Sequence, residues 1–315
     1  MDCIIEWNGL SVPEWEARFA TLRRANLLQS YDYARAACPV YRQKARWGLI
    51  KIDGAEAGMV QIFEAGILWN LLHGLILDCG PLWFEGYGSA SHIQVFFKEF
   101  DRLFPRRFGR RRRILPDIED GPAARALLAN LGYERLDVPG YQTVWLDLTQ
   151  DEALLRAQMK PNWRNKLSKA ERAGLLVEWD RKGRFFASVL RNYKRDQVKK
   201  DYKGPSARIL KALVSVFAPK EKILIGRAII KGKIVAETLF FLHGKSATYQ
   251  VGWTSEDGRR TAAHHLLLWR AMPYLKEAGI TDLDLGGGND DTAKGVKQFK
   301  EGMGGQTLCY VGHYL

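Results

Sequence analysis

The sequence is poor in the residues that staple a chain, ligate metals or anchor it in a bilayer. It holds four cysteines in 315 residues, Cys3, Cys38, Cys79 and Cys309, and none forms a CxxC pair. Each sits among apolar or small neighbours, which predicts buried free thiols and speaks against a disulfide framework or a thiolate metal site. The six histidines lack ligand spacing as well. His264 and His265 are adjacent, so on a helix they point about 100° apart and cannot share a metal as an i, i+4 pair would. No apolar run approaches the roughly 18 residues that span a bilayer, because Trp69–Leu77 is broken by Asn70, His73 and Gly74. The N-terminus, Met1-Asp2-Cys3-Ile4-Ile5-Glu6, carries acids where a signal peptide needs bases, and no apolar h-region follows. These absences predict no metal, no cofactor, no integral membrane segment and a cytoplasmic location. No Ser/His/Asp or Cys/His constellation is visible, which fits chemistry without a covalent enzyme intermediate.

Acids are in deficit too. Against 48 Lys and Arg stand 35 Asp and Glu, a net charge of +13. A field of that sign favours polyanions: nucleic acid, nucleotide-linked substrates or an anionic membrane surface. The basic residues come in blocks. Arg102, Arg106, Arg107, Arg110, Arg111, Arg112 and Arg113 form the first, and seven arginines within twelve residues are more than a solvated face requires. Arg156, Lys160, Arg164, Lys166, Lys169 and Arg172 form the second, and a third runs from Arg181 to Lys203.

What is abundant is apolar: 46% of residues are hydrophobic and 11% aromatic, ample for two packed cores. The length suits two domains of about 150 residues each. Two segments share one grammar. Arg46–Ile52, a turn at Asp53-Gly54 and Gly58–Phe63 read as a β-hairpin, and so do Ile225–Ile230, Lys231-Gly232 and Ile234–Leu242. More strand follows each, Gly74–Cys79 and Ser246–Gly252. An amphipathic helix comes next, striped by Ile93, Val95, Phe96, Phe100 and Leu103 in the first copy and by Leu266, Leu267, Trp269, Met272 and Leu275 in the second. A short strand closes each unit, Arg113–Ile118 and Thr281–Leu285. The pattern predicts a duplicated α/β (α+β) unit with a mixed sheet. A turn-rich break at Val138-Pro139-Gly140 places the boundary between domains 1–140 and 141–315, with about the last ten residues returning to the first. Around it, Pro122–Asn130 reads as a helix stopped at Leu131-Gly132, and Tyr141–Leu148 as a strand. Thr149 is expected to cap a helix from about Asp151 that Pro161 interrupts.

Several stretches, in order, match a known pattern: Gln29-Ser30-Tyr31-Asp32-Tyr33; Asp78-Cys79-Gly80-Pro81-Leu82-Trp83; Trp145-Leu146-Asp147-Leu148 with Met159–Lys166 and Lys169–Gly174; Gly258–Trp269; Asp284-Leu285-Gly286-Gly287; and Gly295–Gly305 around Phe299-Lys300. On these residues the chain resembles, over nearly its whole length, the FemABX family, FemAB-like aminoacyl-tRNA-dependent peptidyltransferases of the GNAT superfamily that build peptidoglycan cross-bridges. The resemblance implies two tandem GNAT-like domains, each a mixed, mostly antiparallel sheet flanked by helices. It implies an aminoacyltransferase that takes an aminoacyl group from aminoacyl-tRNA to an amine acceptor, a muropeptide, amino acid or peptide. The alternative is a GNAT-type N-acyltransferase using acyl-CoA or an acyl-carrier protein.

Such a reaction needs a neutral amine held close to the carbonyl and a fixed positive group for the developing oxyanion. The resemblance assigns that cation to Lys300, with Phe299 lining the site near the tRNA acceptor end. It points to Tyr249, Tyr202 and Arg208 for acceptor binding. Arg35, in Ala34-Arg35-Ala36-Ala37, is the residue that could replace the family's diphosphate-binding lysine. Arg110, Arg111, Arg112 and Arg113, with Lys160, Arg164 and Lys166, are expected at tRNA phosphates. The glycines near Lys300 are expected to let a substrate approach the backbone, and Gly286–Asp291 to form a substrate-facing loop. Asp284 is read chiefly as a capped strand end. Ser255–Thr261 stands where acetyl-CoA enzymes cradle pyrophosphate, and its acids weaken a CoA donor, although Arg259 and Arg260 could hold phosphate.

Overall fold

The computed structural model describes the chain apart from residues 70, 139, 203 and 288–293. It divides into two compact units, Met1–Gln142 with Leu308–Leu315, and Thr143–Thr307.

The first unit runs β1 (Cys3–Trp7), α1 (Val12–Phe19), α2 (Tyr31–Tyr41), β2 (Lys44–Ile52), β3 (Ala55–Ile67), β4 (Leu72–Gly80), β5 (Leu82–Trp83), α3 (Ala90–Leu103), β6 (Arg110–Pro116) and α4 (Pro122–Asn130). Its sheet has the order β1-β2-β3-β4-β6, with β5 beside β3. Neighbours are antiparallel except β4 and β6, which are parallel. A parallel neighbour needs a crossover, and α3 provides it, burying Ile93, Phe96, Phe97 and Phe100. The β2–β3 turn is Asp53-Gly54, both at positive φ, as a two-residue hairpin turn requires.

The Gln29-Ser30 pair is part of this framework. Buried Gln29 donates from Nε2 to the carbonyls of Gln61 on β3 (3.0 Å) and Asp78 on β4 (2.7 Å), and its Oε1 accepts from the Gln61 amide (2.7 Å). Ser30 caps α2 by accepting from the Tyr33 amide at 3.2 Å. The motif therefore clamps two strands and starts a helix.

The second unit runs β7 (Gln142–Asp147), α5 (Glu152–Gln158), α6 (Pro161–Glu171), β8 (Leu176–Asp180), α7 (Phe186–Lys200), α8 (Ala207–Phe217), β9 (Ile223–Ile230), β10 (Lys233–His243), β11 (Ser246–Thr254), α9 (Glu256–Arg260), α10 (Ala263–Glu277), β12 (Asp282–Asp284), α11 (Lys294–Glu301) and β13 (Gln306–Cys309). The strand order is β13-β7-β12-β11-β10-β9-β8. β11 and β12 are parallel, and α10 makes the crossover between them, burying Leu266, Leu267, Leu268 and Met272 against the sheet. Hairpin, third strand, crossover helix and parallel strand thus occur in both units. The fold is the expected α/β (α+β) arrangement of two mixed sheets flanked by helices.

Two local expectations change. Asp151, not Thr149, caps α5, accepting from the Leu154 amide at 2.7 Å, while the Thr149 hydroxyl turns back to Asp147 at 2.7 Å. Both are cap residues, and the one directly preceding the helix wins. The four cysteines are free, but only Cys3 and Cys79 are fully buried; Cys38 and Cys309 are half-buried. Pro161 does break the helix, standing at the first turn of α6.

Candidate functional site

The second unit gathers Lys300, Phe299 and Tyr249, with His264, where β11 and β12 part. Parallel pairing of these strands runs from Ser246↔Asp282 to Thr248↔Asp284. β11 then continues to Thr254. Beyond the last pair the chain after β12 turns away at Gly286, whose φ is +73°.

A bulge decides which β11 side chain reaches this fork. Against β10 the register steps from Leu239↔Val251 to Phe240↔Tyr249, skipping Gln250. Strict alternation would send Tyr249 to the face of Val251. The skipped residue flips it to the Phe240 face, towards α10, where its hydroxyl lies 2.7 Å from Nε2 of His264. Nδ1 of His264 lies 3.1 Å from the Thr254 hydroxyl. Burial, with His265 beside it, pulls the His264 pKa down to about 3, so the imidazole is neutral at physiological pH. Burial raises the Tyr249 phenol far above its usual range, and it stays protonated. The phenol lies across Gly252: a Cβ there would overlap the Tyr249 oxygen and come within 2.6 Å of the His264 ring. Gly252→Ala is expected to cost about 1–3 kcal/mol, the usual overpacking range, read as a lower urea midpoint with an unchanged slope.

Lys300 is on α11 and is buried, 7% exposed. Its Nζ donates to the carbonyls of Gly286 (3.0 Å) and Gly287 (2.7 Å) and sits 5.8 Å from the centre of the Tyr249 ring. Burial lowers its pKa to about 8, against a smaller upward pull from Asp284. Asp284 is also buried. It accepts from the Thr143 hydroxyl and, at 2.7 Å, from the Gly286 amide, so it pins the turn that Lys300 grips from the other side. Burial raises its pKa. Phe299 extends the site as half of an aromatic wall, 4.9 Å from His265, 5.5 Å from His264 and 6.0 Å from Trp163, ring centre to ring centre. A cation able to lend a third N–H, beside an apolar wall at the mouth of a strand fork, can stabilise negative charge on a carbonyl oxygen.

The other expected residues are placed as follows. Tyr202 is half-buried, edge-on to Tyr193 with ring centres 6.2 Å apart. Arg208 is exposed in the first turn of α8. Arg35 belongs to the first unit and is exposed; it lies about 200° around α2 from Tyr33 and Ala37, which line a cavity with Asp78 and Arg113. Lys160, Arg164 and Lys166 lie on or beside α6. Lys160 is 3.6 Å from Glu301 and exposed, and Arg164 donates to the Ala157 carbonyl at 2.9 Å. Arg260 pairs with Asp257, and Arg259 donates to the Thr254 carbonyl at 3.2 Å.

Two expectations are corrected. The arginine block is not one phosphate-binding face. Arg112 is buried, its guanidinium on Asp101 and 5.3 Å over the Tyr133 ring, and Arg110 bonds to His73 Nδ1 (3.1 Å) and the Pro105 carbonyl (2.9 Å). Arg113 pairs with Asp78 at 3.1 Å, and Arg111 is exposed. Strand alternation on β6 explains this, since Arg112 shares the inward face of Ile114. The glycines after Lys300 meet the protein's own chain: a Cβ on Gly302 would come 2.7 Å from Trp163, and those on Gly304 and Gly305 would strike the Gln158 and Trp145 carbonyls. Asp284 holds a turn, as the chief reading had it. Of the loop 286–291, residues 288–291 lie outside the described residues. His264 joins the site residues without a signal in the sequence, where its adjacency to His265 speaks only against a shared metal.

No curated protein is matched by the sequence. Residues 157–301 match the acetyltransferase (GNAT) domain family. Among solved structures the chain is similar to FemX, with a TM-score of 0.78, 15% identity, and coverage of 98% of this chain and 96% of that one. It is also similar to a tandem GNAT protein from the clavulanic acid biosynthesis pathway (TM-score 0.52, 13% identity, 99% and 98% covered). A third likeness is to the C-terminal domain of a protein assigned as a lysylphosphatidylglycerol synthetase, from Agrobacterium fabrum (TM-score 0.52, 16% identity, 96% and 92% covered). Identities this low are likenesses of fold. The chain is therefore FemABX-like in its tandem fold, with a GNAT-type acyltransferase domain at residues 157–301.

Proposed function

We propose that this acyltransferase moves an aminoacyl group from aminoacyl-tRNA to an amine acceptor. The amine nitrogen bonds to the carbonyl carbon and loses a proton, the ester C–O bond breaks, and the ribose oxygen leaves with a proton. The observation that carries the reading is Lys300, a buried ammonium held by two carbonyls at the β11–β12 fork beside the Phe299 wall. A site that keeps a cation out of water is set up for charge that develops during reaction. Tyr249, Tyr202 and Arg208 of the same unit, and Arg35 of the first, are the proposed acceptor contacts. Lys160, Arg164 and Lys166 are the proposed contacts to tRNA phosphate. Of the arginines expected beside them, Arg110, Arg111 and Arg113 remain proposed and Arg112 is withdrawn by its burial.

The test is a transfer assay with a mixture of charged tRNAs and a panel of amines, run beside acyl-CoA and acyl-carrier donors. Transfer abolished by RNase supports the proposal. RNase-insensitive transfer from a thioester decides for the other donor. Binding of charged tRNA should weaken steeply with salt, and Lys160→Ala with Arg164→Ala should flatten the slope of log K against log salt by about 1–2.

A further inference from the structure

Two loops of the first unit present an apolar crown. At the β3–β4 tip Ile67, Leu68, Leu71 and Leu72 are 63, 62, 56 and 45% exposed, and Trp69 is fully exposed. Phe108, in the loop before β6, is 93% exposed. Single exposed apolar side chains are ordinary, but six large ones on adjoining loops are not. The two loops are fastened together. The His73 amide donates to the Gly109 carbonyl at 2.8 Å, Arg107 donates to the Leu71 carbonyl at 3.2 Å, and a Cβ on Gly109 would strike that same carbonyl. Leu68 and Trp69 occupy the tip with φ of +51° and +52°. That region suits glycine or asparagine and strains a bulky side chain. Large apolar residues at the tip are thus opposed both by the turn and by water.

The surroundings are cationic. Arg107 and Arg110 hold the loops, and Arg111, opposite Gly74 on the neighbouring strand, is exposed. The nearest acid on the hairpin, Glu64, is matched by Arg46 and by His73 at 3.1 Å. A tryptophan and aliphatic tip above an arginine collar is complementary to a lipid interface, with apolar groups below the headgroups and guanidinium groups among anionic phosphates. A nucleic-acid surface would call for the cations without the aliphatic tip. Among the described residues no helix is long and apolar enough to cross a membrane.

We propose that this crown seats the chain on the surface of an anionic lipid bilayer. The test is flotation of the full chain with phosphatidylcholine vesicles, with and without phosphatidylglycerol. Wild type should float with the anionic vesicles, and more weakly with phosphatidylcholine alone or at raised salt. Trp69→Ser with Leu68→Ser should lower partitioning by roughly tenfold or more, and Arg111→Ala by about fivefold. Both variants should unfold at the wild-type midpoint, since the replaced side chains are exposed. Wild type that stays with the soluble fraction overturns the proposal, as do variants that float like wild type. Two other results overturn it if vesicle binding is lacking: tRNA binding lost in the tip variant, which would make the crown an RNA platform, or a dimer dissolved by that variant, which would make it a self-interface.

Discussion

Lys300→Met is expected to lower kcat/KM for acyl transfer by about 10²–10³-fold, the range for losing one preorganised oxyanion donor. Methionine keeps most of the side-chain volume and removes the charge. It leaves the Gly286 and Gly287 carbonyls without the Nζ bonds they have now, at 3.0 and 2.7 Å. Folding must therefore be followed beside activity by circular dichroism and urea unfolding. A variant that keeps its fold and its rate would remove Lys300 from the chemistry. One that loses rate only in proportion to loss of folded protein would make it a brace for the β12 turn.

The pH profile separates cation from base. Burial brings the Lys300 pKa from the ordinary 10.5 to about 8, so the ammonium predominates below pH 8 and is lost above it. An oxyanion-stabilising role then predicts a rate that falls as pH rises through about 8, opposed at lower pH by the need for a neutral acceptor amine. A general-base role predicts a rise through the same value. Lys300→Arg stays protonated throughout, so its falling limb should leave the measured range even if its maximum is lower. Linkage gives a second readout. A lysine pKa lower in the folded than in the unfolded state means that the unfolded chain binds more protons between about pH 8 and 10.5, so its contribution to stability rises across that window. The Lys300→Met variant should lack that rise.

Both hairpins were legible because their strands alternate and their turns carry Asp53-Gly54 and Lys231-Gly232, which leave few alternatives. Helices α3 and α10 were legible from apolar spacing, and the doubling of hairpin, strand, helix and strand implied the topology. The site was legible only in outline. Tyr249 faces His264 because one residue, Gln250, drops out of the β10 ladder, and a bulge leaves no mark in an alternating pattern short enough to be read either way. The buried side of the arginine block could have been found: Ile114 must face the core, so Arg112 must as well, and a charge count ignores that alternation. The glycines from Gly302 to Gly305 resembled room for a ligand because a close approach looks the same in sequence whether the approaching backbone is a substrate's or the chain's own.

Trp163→Ala is expected to destabilise the second unit strongly while leaving Lys300 itself in place. The indole is 3% exposed in the main core, its ring centre 4.8 Å from that of His265 and 6.0 Å from that of Phe299. It lies so close over Gly302 that a Cβ there would come within 2.7 Å of it. Removing it opens a cavity under the helix that carries Lys300. The expected loss is about 3–5 kcal/mol, a large share of the roughly 5–15 kcal/mol that holds an ordinary domain folded. Its indole N–H has no hydrogen-bond partner among the described residues, so Trp163→Phe sheds a buried orphan donor and should recover part of the loss. Activity measured where each variant remains folded then distinguishes two ways of holding the cation. If Trp163→Ala slows transfer in proportion to the volume removed, with Trp163→Phe intermediate, the aromatic wall positions Lys300. If the folded variants turn over at the wild-type rate, the Gly286 and Gly287 carbonyls fix the ammonium by themselves, and the wall serves stability alone.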